Sequence, residues 1–282
     1  MEKKRILITG ARGCLGSFLD KRLSDNEEYM VSRISRDDFD LSSAKESMKY
    51  FSKNKYDIII HTACSKYKDE ERIEDISNNI NAYLNIIANS DAYVIVLGSG
   101  AEFDKRRDIS SMNEIDVFRR MPIDFYGASK NFISRYAFFN HPKTVTMRLF
   151  GCFGASELET RFPSVVYKKI KTKGTLELEE NYKMDFFYDE DLLRTIEYYI
   201  RFLGRFIYLP RDLNLCYKEK YTLEEITLKM SKILVEEIDI IVYNKGKEYT
   251  GNTRRIDALD INLLGFEKSL VDFIHKKEND VK

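Results

Sequence analysis

Three glycines, at residues 10, 13 and 16, constrain this chain more than any other feature. They stand in Thr9-Gly10-Ala11-Arg12-Gly13-Cys14-Leu15-Gly16, directly after the apolar run Arg5-Ile6-Leu7-Ile8-Thr9 and before an amphipathic stretch from Leu15 to Leu23. A buried strand, a tight turn and a helix use all three. Gly10 permits the turn out of the strand, Gly13 lets the backbone approach a pyrophosphate, and Gly16 lets the helix sit close to the sheet. The helix then presents free N–H groups and the positive end of its dipole to the phosphates. Turn glycines also occur by chance, but the strand before and the helix after make this a dinucleotide-binding fingerprint.

The pattern continues along the first half. Short apolar runs, Asp57 to His61, Tyr93 to Leu97 and Thr144 to Leu149, read as strands buried on both faces. A second strand runs from Tyr29 to Ile34, and helices are expected over Leu15 to Leu23, Ser43 to Ser52, Asp75 to Ala88 and Phe125 to Phe139. Alternating strands and helices predict an α/β fold with a doubly wound parallel sheet over 1–154. After Gly151 the pattern loosens. Residues 155–282 are expected to form mainly a smaller C-terminal α/β substrate lobe, with a segment near 184–203 returning to the first domain. Phe162 to Lys171, Glu190 to Phe202 and Thr222 to Glu236 read as helices, Ile240 to Tyr243 as a strand, and Lys276 to Lys282 as a polar tail.

Charge and cysteine usage exclude several functions. Lys+Arg and Asp+Glu are both 46, so the chain lacks the basic excess of a nucleic-acid binder. No apolar run approaches the ~18 residues of a membrane span. Met1 to Arg5 is charged and leads straight into a strand, which leaves no room for a secretory apolar region. Cys14, Cys64, Cys152 and Cys216 form no CxxC pair, and only three histidines are present. Four reduced thiols, no metal site and a cytoplasmic address are therefore expected.

An acidic residue after the second strand holds the ribose of NAD, whereas an arginine suits the 2′-phosphate of NADP. Here Ser35-Arg36 follows that strand, Arg33 is close by, and Arg12 lies inside the glycine turn. Guanidinium–phosphate pairing favours NADP. Asp37 and Asp38 follow directly and keep NAD open, and solvated arginines with no cofactor role are the plain alternative.

Tyr126-Gly127-Ala128-Ser129-Lys130 is the sharpest catalytic signal. Four residues apart on a helix, Tyr126 and Lys130 share a face. A phenol with a pKa of about 10 is a poor acid–base group at neutral pH. A neighbouring ammonium favours the phenolate and is expected to lower that value. Ser99, in Leu97-Gly98-Ser99-Gly100, lies just past a strand, at the end where parallel sheets open onto a ligand crevice. A core tyrosine and a turn serine are the bland readings, weakened by the glycine turn upstream. His61 reads as a core histidine, Lys66 to Glu74 as a solvated loop, and Tyr182, Phe186, Phe187 and Tyr188 as core aromatics.

The glycine turn, Ser99 and Tyr126 to Lys130 together resemble an extended short-chain dehydrogenase/reductase of the NAD-dependent epimerase/dehydratase family. His61-Thr62-Ala63-Cys64 resembles the family's strand end beside the adenosine, and Asn79-Ile80-Asn81-Ala82 its helix-four asparagine segment. Arg148-Leu149-Phe150-Gly151 and Phe186-Phe187-Tyr188-Asp189-Glu190-Asp191 extend the likeness into the second half. Within the family, Arg12 and Arg36-Asp37-Asp38-Phe39-Asp40-Leu41 are most like nucleotide-sugar 4-keto reductases of the GDP-fucose synthase and dTDP-4-dehydrorhamnose reductase types. The resemblance implies a Rossmann domain holding NADP through Gly10, Arg12, Gly13, Cys14, Leu15, Gly16, Arg36, Asp40, Leu41, Ala63, Asn79, Tyr126 and Lys130. It further implies Ser99, Tyr126 and Lys130 as catalytic residues, a nucleotide-diphosphate sugar as substrate, and a homodimer.

Departures refine the expectation. GDP-fucose synthase epimerises with a cysteine two residues beyond the serine and a histidine in the lobe. Here Ala101 stands at the first position, and Glu159-Thr160-Arg161-Phe162-Pro163 has no histidine, so reduction without epimerisation is expected. Met184 replaces an arginine that often contacts the diphosphate, with Lys183 or Arg161 as substitutes, and Phe103 replaces a tyrosine, which reads as packing. A dehydratase needs an acidic pair near the serine, and only Glu102 is present. A 4-epimerase with tightly bound NAD, and a dinucleotide binder without chemistry, remain as alternatives.

Overall fold

The computed structural model describes residues 3–65, 72–154, 157–205 and 208–280. From the N-terminus, β1 (Lys4–Thr9), α1 (Cys14–Ser24), β2 (Tyr29–Ile34), α2 (Ala44–Lys53), β3 (Ile58–His61), α3 (Ile73–Asn89) and β4 (Tyr93–Ser99) alternate strictly. A 3-10 turn, Gly100–Glu102, follows β4, and β5 (Ile109–Met112), a second 3-10 turn (Glu114–Phe118), α4 (Phe125–Asn140) and β6 (Thr144–Leu149) come next. The remainder holds β7 (Cys152–Phe153), α5 (Phe162–Lys171), β8 (Leu176–Asn181), β9 (Phe187–Tyr188), α6 (Asp189–Phe202), β10 (Asp212–Leu215), α7 (Leu223–Leu234), β11 (Ile240–Lys245), β12 (Tyr249–Gly251), α8 (Arg254–Asp257) and α9 (Phe266–Asp280).

The chain divides into two compact units. One comprises Met1–Lys105, Asn113–Arg148 and Ile196–Asn214; the other comprises Arg106–Met112, Leu149–Thr195 and Leu215–Lys282. The sequence suggested a division at residue 154 and a return near 184–203. In the folded chain the first unit runs to Arg148 apart from Arg106–Met112, which belongs to the second, and takes up Ile196–Asn214 again.

The first unit is built on a six-stranded sheet in the order β10-β6-β4-β3-β1-β2, with β1 parallel to both β2 and β3, and β3 parallel to β4. The strand order reverses between β1 and β3, the place where open α/β sheets bind ligands at their carboxyl ends. The apolar runs alternate faces with period two. Leu7, Ile59, Val94 and Val96 pack with Phe51 of α2, Tyr83 and Ile86 of α3, and Ile133 and Ala137 of α4. The intervening Ile6, Ile8, Ile58, Ile60 and Ile95 are equally buried.

Strand β10 was not legible in the sequence, because Asp212-Leu213-Asn214-Leu215 is half polar. All four residues are nevertheless buried, and Asp212 pairs with the buried Arg148. The second unit carries three two-stranded parallel pairs, β8–β11, β5–β12 and β7–β9. Phe153, Tyr188 and Phe273 cluster with ring centroids 5.0 and 5.8 Å from Phe153, and Phe187 stacks on Tyr217 at 4.9 Å. Phe186, Phe187 and Tyr188 are therefore core residues. The expected tail from Lys276 is a correction: α9 continues to Asp280, because Phe266, Leu270, Phe273 and Ile274 bury one helical face. Lys276 is anchored to Glu190 at 2.9 Å. Buried Asp191 accepts from the backbone N–H groups of Leu264 (2.9 Å) and Gly265 (3.2 Å) just before that helix.

Candidate active site

The turn after β1 is shaped by close approaches that exclude any side chain at two of its glycines. Gly10 has φ +73°, and a Cβ there would lie 2.6 Å from the Ala63 backbone. A Cβ on Gly16 would lie 2.3 Å from the Gly10 carbonyl oxygen. Gly13 is different. Its Cβ position meets only the Gly10 oxygen, at 3.3 Å, among the described residues. That approach to a backbone oxygen is tight but looser than those at Gly10 and Gly16, and a pyrophosphate laid against the backbone would use the room that remains. Gly13 is the N-cap of α1 and makes no side-chain cap hydrogen bond, which leaves N–H groups of the first turn for a ligand. The residues present fit a dinucleotide.

The arginines around this turn are not equivalent. Arg12 forms an ion pair with Asp37, and Arg33 reaches back to Asp20 at 2.8 Å. Arg36 is exposed and has no ion-pair partner among the described residues. A guanidinium left without a carboxylate beside the end of β2 suits a 2′-phosphate. Asp40 spends Oδ1 on the backbone and hydroxyl of Ser42, at 2.9 and 2.7 Å. The Leu41 carbonyl accepts from Ser47 and Asn85 at 2.9 and 3.0 Å.

At the end of β3, His61 is buried and its Nδ1 bonds the Thr9 hydroxyl at 2.8 Å, with its pKa lowered to about 3 by desolvation and the Lys130 charge. It is a neutral core histidine. Asn79 of α3 pins the segment beyond it: its amide oxygen accepts from Ser65 N–H at 2.6 Å, and its Nδ2 donates to the Ser65 carbonyl (3.1 Å) and to the Ser129 hydroxyl (3.2 Å). The charged stretch from Lys66 falls mostly outside the described residues, and α3 has begun by Glu74.

Ser99 ends β4 and caps the turn after it, its hydroxyl accepting from Ala101 N–H at 3.1 Å while Glu102 Oε1 accepts from Ser99 N–H at 2.8 Å. Asp124 caps α4 by accepting from Gly127 N–H at 2.7 Å, which places Tyr126 in the first helical turn. A Cβ on Gly127 would lie 2.4 Å from the Ala101 carbonyl oxygen. That close approach brings the helix onto the Ser99 turn, where the Tyr126 phenol and the Ser99 hydroxyl hydrogen-bond. Lys130, one turn further on and buried, donates to the Leu97 carbonyl at 2.9 Å. Ser99, Tyr126 and Lys130 are thus brought together, and the glycine turn follows β1, which lies beyond β3 from the strand that ends at Ser99.

The electrostatics differ from expectation in one respect. Burial raises the Tyr126 pKa and outweighs the Lys130 ammonium, so the phenol of the free protein keeps its proton above its ordinary value of 10.0. Burial opposes the Lys130 charge, but Cys64, Tyr126 and Glu102 prevail and raise its pKa. Lys130 therefore holds a positive charge beside a protonated phenol. Cys64, the last residue of the His61-Thr62-Ala63-Cys64 segment, is an exposed thiol close enough to act on both groups.

Glu102 belongs to the scaffold. It is fully buried, accepts from Ser134 at 2.6 Å, and pairs with Arg148, which also meets Asp212 at 2.6 Å and stacks against Phe103. Asn131 ties α4 to the same turn by donating to the Glu102 carbonyl at 2.7 Å. These supporting residues were not evident from the sequence. The Asp124-x-x-Gly127 cap was the one signal available for them.

A family model described as the NAD dependent epimerase/dehydratase family matches residues 6–207. The chain belongs to that family. No curated sequence matches it. Solved structures share its fold over nearly their whole length. A GDP-mannoheptose C4 reductase from Campylobacter jejuni with NADP bound is 16% identical, with TM-score 0.80 and coverage of 98% of each chain. A dTDP-4-dehydrorhamnose reductase from Bacillus anthracis in complex with NADP is 18% identical, with TM-score 0.79, covering 98% of this chain and 99% of that one. An enzyme from Bordetella bronchiseptica in complex with NAD and UDP is 16% identical, with TM-score 0.81, covering 99% of this chain and 95% of that one. In this epimerase/dehydratase member the position two residues past the serine is Ala101, fully buried, and Glu102 is committed to Arg148. No helix among the described residues is long and apolar enough to cross a membrane.

Proposed function

We propose that this protein is an NADPH-dependent reductase of a 4-keto-6-deoxy sugar carried on a nucleotide diphosphate, and that it does not epimerise its substrate. The observation that carries this reading is the convergence of Ser99 and Tyr126 with the buried Lys130, the phenol still protonated. Gly10 to Gly16 and Arg36 would hold the cofactor, whose nicotinamide would supply a hydride for the sugar's C4. Ser99 holds the ketone oxygen. As the carbon–hydride bond forms, the carbonyl electron pair moves to oxygen and takes the Tyr126 proton. Lys130 steadies the phenolate left behind, which regains its proton from water. A reductase needs a phenol that holds its proton until that moment, and burial keeps it so against the pull of the Lys130 charge.

The absence of a proton-exchanging pair supports the second half of the proposal, because Ala101 offers no acid–base group and Glu102 is locked in an ion pair. Solved relatives described as nucleotide-sugar reductases with NADP support the substrate class. A homodimer in the cytoplasm is part of the same reading, supported by the apolar outer face of α4, where Phe139 is 71% exposed and Phe132 36%. The test is NADPH oxidation against GDP-, CDP-, dTDP- and UDP-linked 4-keto-6-deoxy sugars in deuterated water. Stoichiometric oxidation with one of them and no label at C3 or C5 is expected. Silence across all four, or solvent label at those carbons, would overturn the reading.

A further inference from the structure

Strand β11 leaves one edge of its sheet open and apolar. Among the described residues it pairs with β8 alone, in parallel, with Ile240 opposite Leu176 and Val242 opposite Leu178. The Leu176 N–H donates to the Asp239 carbonyl at 2.9 Å. Backbone groups alternate direction along a strand, so those of Ile240 and Val242 turn away from β8. On β8, Leu176 and Leu178 are buried while Glu177 and Glu179 face water. Strand β11 is not covered in that way. Ile241, Val242 and Tyr243 are 43, 39 and 57% exposed, so apolar side chains stand in water on both of its faces. An apolar edge with unpaired N–H and C=O groups is a template for another strand, and two strands alone make a marginal sheet.

The charges at the two ends identify the strand that fits. Asp239 and Lys245 are exposed, neither has an ion-pair partner among the described residues, and each stands three residues from Val242. An antiparallel copy of β11, related by a twofold axis at Val242, would exchange the outward N–H and C=O of Val242 with those of its counterpart. The same register sets Asp239 opposite Lys245 of the second copy and Ile241 opposite its Tyr243, and the twofold makes each pairing twice. Charges placed evenly about one residue complement themselves, which selects a second copy of this chain as the occupant. We propose that β11 is a self-recognition strand through which two copies join their β8–β11 pairs into one four-stranded sheet. This interface uses residues of the second unit only, whereas α4 lies in the first, and it does not depend on which substrate the protein reduces.

The experiment is sedimentation velocity of the full chain from low to high micromolar concentration, with NADPH titration to show that each variant is folded. Val242→Pro removes the outward N–H, and an edge strand accepts proline there because no bond to β8 is lost. It should halve the mass of the wild-type assembly, from dimer to monomer or, where the α4 face also pairs, from tetramer to dimer. Asp239→Lys and Lys245→Asp each set like charges opposite one another twice, so each should weaken association about tenfold. Combining the two reversals restores opposite charges and should regain the wild-type mass. Should the proline disturb the fold, seen as lost NADPH binding, the exposed charge variants carry the test alone. A wild type that stays monomeric, a folded Val242→Pro variant of unchanged mass, single reversals without effect, or a double variant as weak as the singles would overturn the strand pairing.

Discussion

Replacing Arg148 by Met tests the scaffold beneath Ser99. Arg148 is completely buried between Glu102 and Asp212, both within ion-pair reach, with the Asp212 contact at 2.6 Å. The three groups sum to one negative charge, and removing the cation leaves two carboxylates with no counter-charge in the interior. Breaking a buried pair in this way costs about 3–5 kcal/mol, because the stranded charge loses its partner and not its desolvation. For a chain of this size each kcal/mol moves the melting temperature by about 2–4 °C, so Arg148→Met should melt roughly 6–20 °C lower.

Glu102→Gln is the control. It leaves Arg148 paired with Asp212 and keeps an amide oxygen for Ser99 N–H, so it forfeits one charge-assisted bond and costs about 1.5–3 kcal/mol. The pH dependence adds a sign. In Arg148→Met the folded carboxylates have raised pKa values, so the native state binds more protons than the unfolded one. Stability then falls as pH rises, and the gap to wild type narrows towards pH 5. Thermal melts by circular dichroism across that range decide the matter. A melting point for Arg148→Met within about 2 °C of wild type, a Glu102→Gln variant that melts lower still, or a gap that widens in acid would refute the argument.

Other outcomes follow from single contacts. Tyr126→Phe should lower kcat by at least about a hundredfold while NADPH affinity, read by fluorescence, changes little. The kcat/KM profile should show no basic limb from Tyr126 below about pH 10, because burial holds its proton; a Tyr126 limb near neutrality, lost in Tyr126→Phe, would mean that Lys130 dominates instead. Gly127→Ala places a Cβ 2.4 Å from the Ala101 carbonyl oxygen, so it should displace Tyr126 from Ser99 and depress kcat more than it raises KM. Arg36→Ala should weaken NADPH binding about tenfold and leave NADH binding unchanged, which equilibrium titration of the two coenzymes will show.

Much of the first unit follows from local rules that operate on a few residues at a time. The run Arg5 to Thr9 must become a buried strand, Gly10 to Gly16 must turn, and the spacing of Tyr126 and Lys130 puts both on one helical face. Such signals survive in a bare sequence because strand and helix periodicities act over short spans. What needed the folded chain were contacts between residues far apart in sequence. Glu102, Arg148 and Asp212 look like three ordinary charged residues until β6 and β10 lie side by side, and Asp212-Leu213-Asn214-Leu215 reads as a loop until Arg148 neutralises its first residue. The protonation of Tyr126 belongs here too, since spacing announces the neighbouring ammonium but only tertiary packing removes the water that decides which influence prevails.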